Sequence, residues 1–224
     1  MNSNFEEAKF FVNHYRGIDK ESLSGPGSTI KNTSEVRKLI QTFLINNNIK
    51  SILDLGCGDW NWFSLLDLRE TSYLGWDADT DMIVSHLFNY GGDNIEFDVK
   101  DIVLEPYPQS DLIICRDVLF HMPIQMALSV LNKIKKSCKY LISTSFREVD
   151  INTGIGDKNW GYYNINLNID PFNLSKHEVS YKREMLGVSQ NAISLSAKRF
   201  ICLYDFTSES SSDGQSICLL SRMS

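Results

Sequence analysis

SILDLGCGDW, residues 51–60, joins a short apolar run to two glycines one residue apart. Ile52, Leu53 and Leu55 predict a strand that ends at Gly56. Gly56 and Gly58 let the backbone turn tightly and leave no Cβ between the chain and a ligand. Four further short apolar runs follow: YLGWD (73–77), NIEFD (94–98), DLIICRD (111–117) and KYLISTS (139–145). Between them, 60–70, 79–90 and 122–137 are long enough for helices. The last carries Met126, Leu128, Val130, Leu131 and Ile134 and closes on the basic run Lys133–Lys136, which suits the negative end of a helix dipole. Strands alternating with helices imply right-handed crossovers and a mostly parallel sheet covered on both faces. The fold class is a doubly wound α/β domain.

The chain has 224 residues, 42% apolar and 22% charged, which matches one soluble globular domain. Its net charge is −6, a poor basis for gripping nucleic acid through counterion release. The opening MNSNFEEAKFF lacks the basic then apolar order of a secretory signal. No apolar run reaches the ~20 residues that a membrane helix needs. The five cysteines (Cys57, Cys115, Cys138, Cys202 and Cys218) are scattered with no CxxC pair, as expected of reduced thiols in a cytoplasm. Cysteines and histidines show no metal-ligand spacing, so no metal is expected.

Residues 1–50 read as an N-terminal cap. It comprises a polar helix candidate, a turn-rich SLSGPGST (22–29), and a helix in NTSEVRKLIQTFLINNNIK. Thr33 or Ser34 is the expected N-cap, and Asn46–Asn48 the stop. Residues 51–145 form the core. From 146 to 176 the alternation dissolves into a run rich in Asn, Gly and aromatics, of the kind that forms lids or binding loops. EVSYKRE and RFICLYDF predict two strands within 177–206. The polar stretch that opens 207–224 predicts a mobile tail.

The glycine loop sits where ligands bind in open α/β sheets, at the carboxyl ends of the strands. Asp77, nineteen residues past Gly58, ends the second strand, where a carboxylate can accept both hydroxyls of a ribose. Of two nucleoside cofactors, a nicotinamide dinucleotide needs a third small residue and a welcome for pyrophosphate. Here Asn61 stands in the third position and Asp59 beside the second glycine. Asp54 at the strand end points the same way, as a direct ligand or as a buried acid shaping the loop. S-adenosylmethionine, cationic and free of phosphate, fits these acids better.

DLGCGDW, YLGWDAD, FDVKDI and CRDVLFHMP, in this order and spacing, resemble the successive motifs of class I S-adenosylmethionine-dependent methyltransferases over roughly 50–145. More loosely, SGPGSTIKNTSEVRKLI and GDKNWGYYNINLNIDPFNL look like small bacterial methyltransferases of capsular and cell-surface polysaccharide pathways. The resemblance implies a Rossmann-like, seven-stranded sheet, completed by an antiparallel hairpin from about 178–184 and 199–206. It implies that Gly56, Cys57 and Gly58 pass under the methionine part of the cofactor, Asp77 holds the ribose, and Ala78 lies against the adenine. Asp101, or else Asp98, would accept from the adenine amine, with Ile102 nearby. Cys115 and Arg116 would offer backbone beside the methyl group.

For the acceptor, His121 is the candidate general base, with packing at the start of the next helix as its alternative. Asp117 is its rival as base, or orients an acceptor amine. Arg116, joined by Arg37 and Arg147, suits an anionic acceptor, unless each is merely solvated or salt-bridged. Trp160, Tyr163 and Asn164 offer a floor for a sugar, or else close the domain as a lid. Trp60 and Trp62 are read as core more than as stacking groups. Cys57 lacks a base partner and is not read as a nucleophile.

The reading is in-line methyl transfer to a heteroatom, most of the rate coming from alignment. The expected acceptor is a hydroxyl of a small anionic or sugar-like metabolite: a sugar phosphate, a phosphoramidate-type group or a capsule precursor. The alternatives are N-methylation of a small amine or protein group, and a non-catalytic S-adenosylmethionine-binding module. A nicotinamide-dependent oxidoreductase is disfavoured by Asp59 and the missing third glycine. No nucleic acid or membrane partner is expected, and the sequence leaves the oligomeric state open.

Overall fold

The computed structural model describes residues 18–152, 161–183 and 199–207. The N-terminal helix candidate, Trp160 and the tail beyond 207 lie outside these residues. Seven strands form one sheet: β1 (Ser51–Leu55), β2 (Ser72–Asp77), β3 (Ile95–Val99), β4 (Ser110–Cys115), β5 (Cys138–Ser145), β6 (Glu178–Arg183) and β7 (Phe200–Asp205). Their order is β3-β2-β1-β4-β5-β7-β6. Neighbours from β3 to β5 pair in parallel, while β7 runs antiparallel to both β5 and β6. Among the described residues, three helices cover the sheet: α1 (Ser34–Asn46), α2 (Thr80–Asn89) and α3 (Ile124–Ser137).

The near-continuous apolar strands make sense because both faces are buried. Ile52, Leu112 and Ile114 pack with Val36, Leu39, Ile40 and Phe43 of α1. Their neighbours Leu53, Leu55 and Ile113 face the other way, onto Ala127, Val130, Leu131 and Ile134 of α3. Strand order changes direction at β1, between β2 and β4. That switch point opens a crevice at the carboxyl ends of these strands.

The helix expected at 60–70 is absent, and this corrects the sequence reading. A single three-residue turn, Phe63–Leu65, is all that forms. Trp60 and Trp62 are both buried, and residues two apart on a helix point away from each other. Burying both requires an irregular backbone, and Trp60 adopts the left-handed region at φ 55. Its ring then joins those of Phe63, Tyr73 and Phe97, with centroids 5.2–6.0 Å away.

Thr33 does precede α1, but its hydroxyl donates to Thr29 O at 2.8 Å instead of capping the helix. After β5 the irregular chain is braced by amide side chains. Asn166 donates to Arg147 O and Val149 O, and its own N–H is taken by Asn152 Oδ1. The abundance of asparagine there thus serves backbone groups that no ladder satisfies. Among the described residues, no helix is long and apolar enough to cross a membrane.

Candidate functional site

The loop after β1 is held from both sides. Gly56 N and Cys57 N donate to Trp76 O at 2.8 and 3.0 Å. Gly58 N donates to Asp77 Oδ2 at 3.0 Å, and its carbonyl accepts from His86 Nε2 of α2 at 2.7 Å. A carbonyl can only accept, so Nε2 carries the proton. Gly56 and Gly58 adopt φ 75 and 59, which glycine reaches without strain. Asp77 Oδ1 also accepts Asp79 N at 3.0 Å, and Asp79 caps α2 through Met82 N. Ala78 lies partly buried between these two acids.

Beneath the loop Asp54 is 4% exposed and accepts from Tyr73 Oη at 2.8 Å. Burial pushes its carboxyl up to about 7; the Asp77 charge adds to the rise, while the Tyr73 bond and Arg116 oppose it. Burial also drives the Cys57 thiol well above its ordinary value, so it stays protonated and is no nucleophile. Past β3, Asp101 Oδ1 accepts Val103 N at 2.8 Å, while Oδ2 is buried with no partner among the described residues. Such an orphan is what a ligand donor would satisfy. Ile102 follows, its side chain buried.

At the end of β4 the Cys115 carbonyl accepts from Ser143 Oγ at 2.8 Å. Asp117 takes the left-handed φ 57 and accepts from Thr144 Oγ1 at 2.8 Å. Its Oδ2 meets two buried guanidiniums, Arg199 Nη1 at 2.8 Å and Arg116 Nη1 at 3.1 Å. Burial alone would raise this carboxyl, but Arg116, Arg199 and the Thr144 hydroxyl hold it below the ordinary carboxylate value. Asp117 is therefore a weak base and a strong ionic hub. His121 Nδ1 lies 2.9 Å from Gly161 O. Because that carbonyl only accepts, Nδ1 bears the hydrogen and Nε2 the lone pair. Burial lowers the imidazole to about 4, against the pull of the Gly161 bond and Asp117. Gly161 N returns a bond to His121 O, and Tyr163 N donates to Phe120 O. Residues 161–163, with Asn164 following, thus run alongside the His121 turn.

The expected arginine trio does not gather on one partner. Arg116 donates to Gly27 O at 2.7 Å, and Arg37 to Ile30 O at 2.8 Å. Arg147 pairs with Glu178 at 2.9 Å and lies 3.6 Å over the Tyr181 ring. The companion of Arg116 on Asp117 is Arg199, which was not anticipated. Sequence reasoning also missed a strap made of residues 21–28. Asp59 accepts from Ser22 Oγ and Leu23 N, both at 2.7 Å, and Ser24 Oγ accepts Asp59 N at 2.9 Å. Asn61 donates to Glu21 Oε1 and Ser28 O. Asp59 is thus turned to the strap, not to a cofactor. A local signal existed in the two glycines of SGPGS: a Cβ on Gly27 would sit 2.9 Å from Arg199 Nη1.

No family model matches the sequence, and no curated protein matches it either. Solved structures do match in shape. The N-methyltransferase NodS from Bradyrhizobium japonicum WM9, in complex with S-adenosyl-L-homocysteine, aligns with TM-score 0.65 at 12% identity over 89% of this chain and 98% of that one. Magnesium protoporphyrin IX methyltransferase (ChlM) from Synechocystis PCC 6803, with bound S-adenosylhomocysteine, gives 0.60 at 14% identity over 91% and 95%. An O-methyltransferase family protein from Burkholderia thailandensis gives 0.56 at 12% identity over 91% and 62%. The chain has the methyltransferase fold, a Rossmann-like, seven-stranded, mostly parallel sheet with helices on both faces.

Proposed function

We propose that the protein is an S-adenosylmethionine-dependent methyltransferase. The observation that carries this is the carboxyl edge of the sheet. A two-glycine loop braced on Asp77 is followed by no helix N-terminus, and nearby Asp101 has a buried oxygen with no partner among the described residues. A pyrophosphate is normally met by a helix N-terminus, so this edge favours a nucleoside ligand without phosphate. The two neighbours solved with S-adenosylhomocysteine support the same ligand. In this reading Asp77 would hold the ribose and Asp101 the adenine amine, with Ala78 and Ile102 beside the ring. Asp54, Gly56, Cys57 and Gly58 would lie along the methionine part, and the Cys115 and Arg116 backbone near the transfer.

Bound S-adenosylmethionine supplies an electrophilic methyl group on a sulfonium. The chain's own work is alignment, water exclusion and the handling of one proton. His121, uncharged at neutral pH and tied through Nδ1, would take the proton of an acceptor hydroxyl at Nε2. Asp117 positions, because the arginines hold it ionised. We infer a hydroxyl acceptor on a small anionic or sugar-like metabolite. It is supported by the excess of positive charge where the buried Arg116 and Arg199 share the one Asp117 carboxylate, and by Tyr163 and Asn164 in the segment that runs alongside His121. A precursor of capsular or cell-surface polysaccharide, methylated in the cytoplasm where the scattered free thiols stay reduced, fits the looser sequence likeness. One observation favours N-methylation of a small amine instead: an imidazole lowered to about 4 is a weak base, and a neutral amine needs little base.

Calorimetry with S-adenosylhomocysteine and with NADH tests the donor. Binding of the first alone is expected, and its absence refutes the reading. Release of S-adenosylhomocysteine from a panel of sugar phosphates, nucleotide sugars, phosphorylated acids and small amines then separates O- from N-transfer and both from a binding module.

A further inference from the structure

The basic run at the end of α3 does not act as one dipole cap. Lys135 and Lys136 occupy the last turn, but Lys133 leaves the helix for the turn after β3. Its Nζ lies 2.6 Å from Ile102 O, 2.9 Å from Val103 O and 2.8 Å from Glu105 O. Three carbonyls need three N–H donors, which only the ammonium form offers. The same nitrogen stands 4.4 Å from the centroid of the Tyr107 ring, whose hydroxyl also donates to Ile102 O. Asp101 O accepts from Leu104 N and Glu105 N, and Asp101 Oδ1 accepts Val103 N. The whole turn 101–105 is thereby wound about one lysine nitrogen, thirty residues away in the chain.

The carboxylate fixed in this way keeps Oδ2 buried and without a partner among the described residues. Its direction depends on the Val103 N–H, and the peptide on the far side of Val103 is held by Lys133. We propose that Lys133 is a positioning residue for purine recognition: by gathering the 102, 103 and 105 carbonyls it aims Asp101 at the exocyclic amine of the nucleoside. This rests on the reading of Asp101 as the adenine contact.

The experiment compares S-adenosylhomocysteine with its inosyl analogue, which carries a carbonyl in place of the amine, by calorimetry on the parent, Asp101→Asn, Lys133→Met and Lys133→Arg. The parent is expected to prefer the adenosyl compound by ~10-fold or more, the scale of one hydrogen bond to a charged acceptor. Asp101→Asn and Lys133→Met should each lose most of that preference. Lys133→Arg, whose planar fork cannot converge on three carbonyls, should lose part of it. A role in stability alone would lower both affinities together and leave their ratio unchanged. If Asp101→Asn retains the preference, the adenine contact is elsewhere and the proposal falls with it. If Asp101→Asn loses it while Lys133→Met keeps it, Asp101 stands and the role of Lys133 is refuted. Should Lys133→Met fail to fold, Lys133→Arg decides, an unchanged ratio refuting the role and a reduced one supporting it.

Discussion

Replacing Asp117 by Asn isolates the charge at the centre of the arginine cluster. Asn tolerates the left-handed φ 57 nearly as well as Asp, so the backbone is not the variable. Its amide oxygen can still accept from Thr144 Oγ1. What disappears is a full negative charge 2.8 and 3.1 Å from two guanidiniums whose side chains are 5% and 3% exposed. Removing one member of a buried pair costs about 3–5 kcal/mol. The Asp117 side chain is 18% exposed and partly screened, so about 2–4 kcal/mol is the expected loss. In a domain of this size that lowers the melting temperature by roughly 4–16 °C. Calorimetric scans and urea denaturation at pH 7.5 measure it. The pH dependence gives a second handle. Because the folded carboxyl is held below its ordinary value, its stabilisation is complete above the unfolded pKa of about 4 and fades as pH falls through the folded one. Parent and variant should therefore differ at neutral pH and converge in acid. A variant within ~0.5 kcal/mol of the parent at pH 7.5, the usual scatter of a surface substitution, would refute the view that this carboxylate holds the two arginines.

Gly58→Ala forces a left-handed alanine, at about 1 kcal/mol, and drives its Cβ against Ser24 Oγ. Affinity for S-adenosylhomocysteine should drop by roughly 10-fold, or ~1.4 kcal/mol, and adding Ser24→Gly should restore only the part due to the collision. Once an acceptor is known, His121→Gln should cut kcat by about 10²–10⁴ for a hydroxyl acceptor while leaving S-adenosylhomocysteine binding unchanged. A loss below ~10-fold would point to an amine, which needs little help from a base. Asp54→Asn tests the buried acid. Its folded carboxyl is raised from 3.8 to about 7, so the parent loses stability as pH rises across that window. The variant should gain relative to the parent between those two values in thermal scans, and a pH-independent difference would contradict the assignment.

Strands β1, β2, β4 and β5 were legible because each is a short apolar run buried along most of its length, while edge strand β3 buries Phe97 and exposes Glu96 and Asp98; both patterns survive in one dimension. Strands β6 and β7 left a trace in EVSYKRE and RFICLYDF, the first a weak one, but their pairing as a hairpin was legible only through family likeness. The segment 60–70 was misread because length between strands argued for a helix, whereas Trp60 and Trp62 both had to reach the core. The strap escaped notice for a different reason. Asp59 meets Ser22 across 37 positions, and Asp117 meets Arg199 across 82. Such pairings follow from the closed fold and have no periodic trace in the sequence. Arg37 and Arg147 looked like partners of Arg116 because charge alone was visible; their true partners are the Ile30 carbonyl and Glu178 on β6.

The same distinction bears on the proposed sulfonium nucleoside. Counted in sequence, Asp54, Asp59, Asp77 and Asp101 form an acidic field that would attract a cation and repel a phosphate. In the fold, Asp59 is turned to the strap and Asp77 is engaged by Gly58 N and Asp79 N. Asp54, raised to about 7, is only partly ionised near neutrality. The field is weaker than the count suggests, and charge alone no longer excludes a dinucleotide. Shape carries the discrimination instead. A pyrophosphate needs the free N–H groups of a helix start beyond the second glycine. Here Asp59 N and Asn61 N are already taken, by Ser24 Oγ and Asp59 Oδ1, and Trp60 turns the backbone out of the helical region. The tryptophan that defeated the helix prediction is thus what closes the phosphate site, and a ligand without phosphate is the one that the remaining groups can serve.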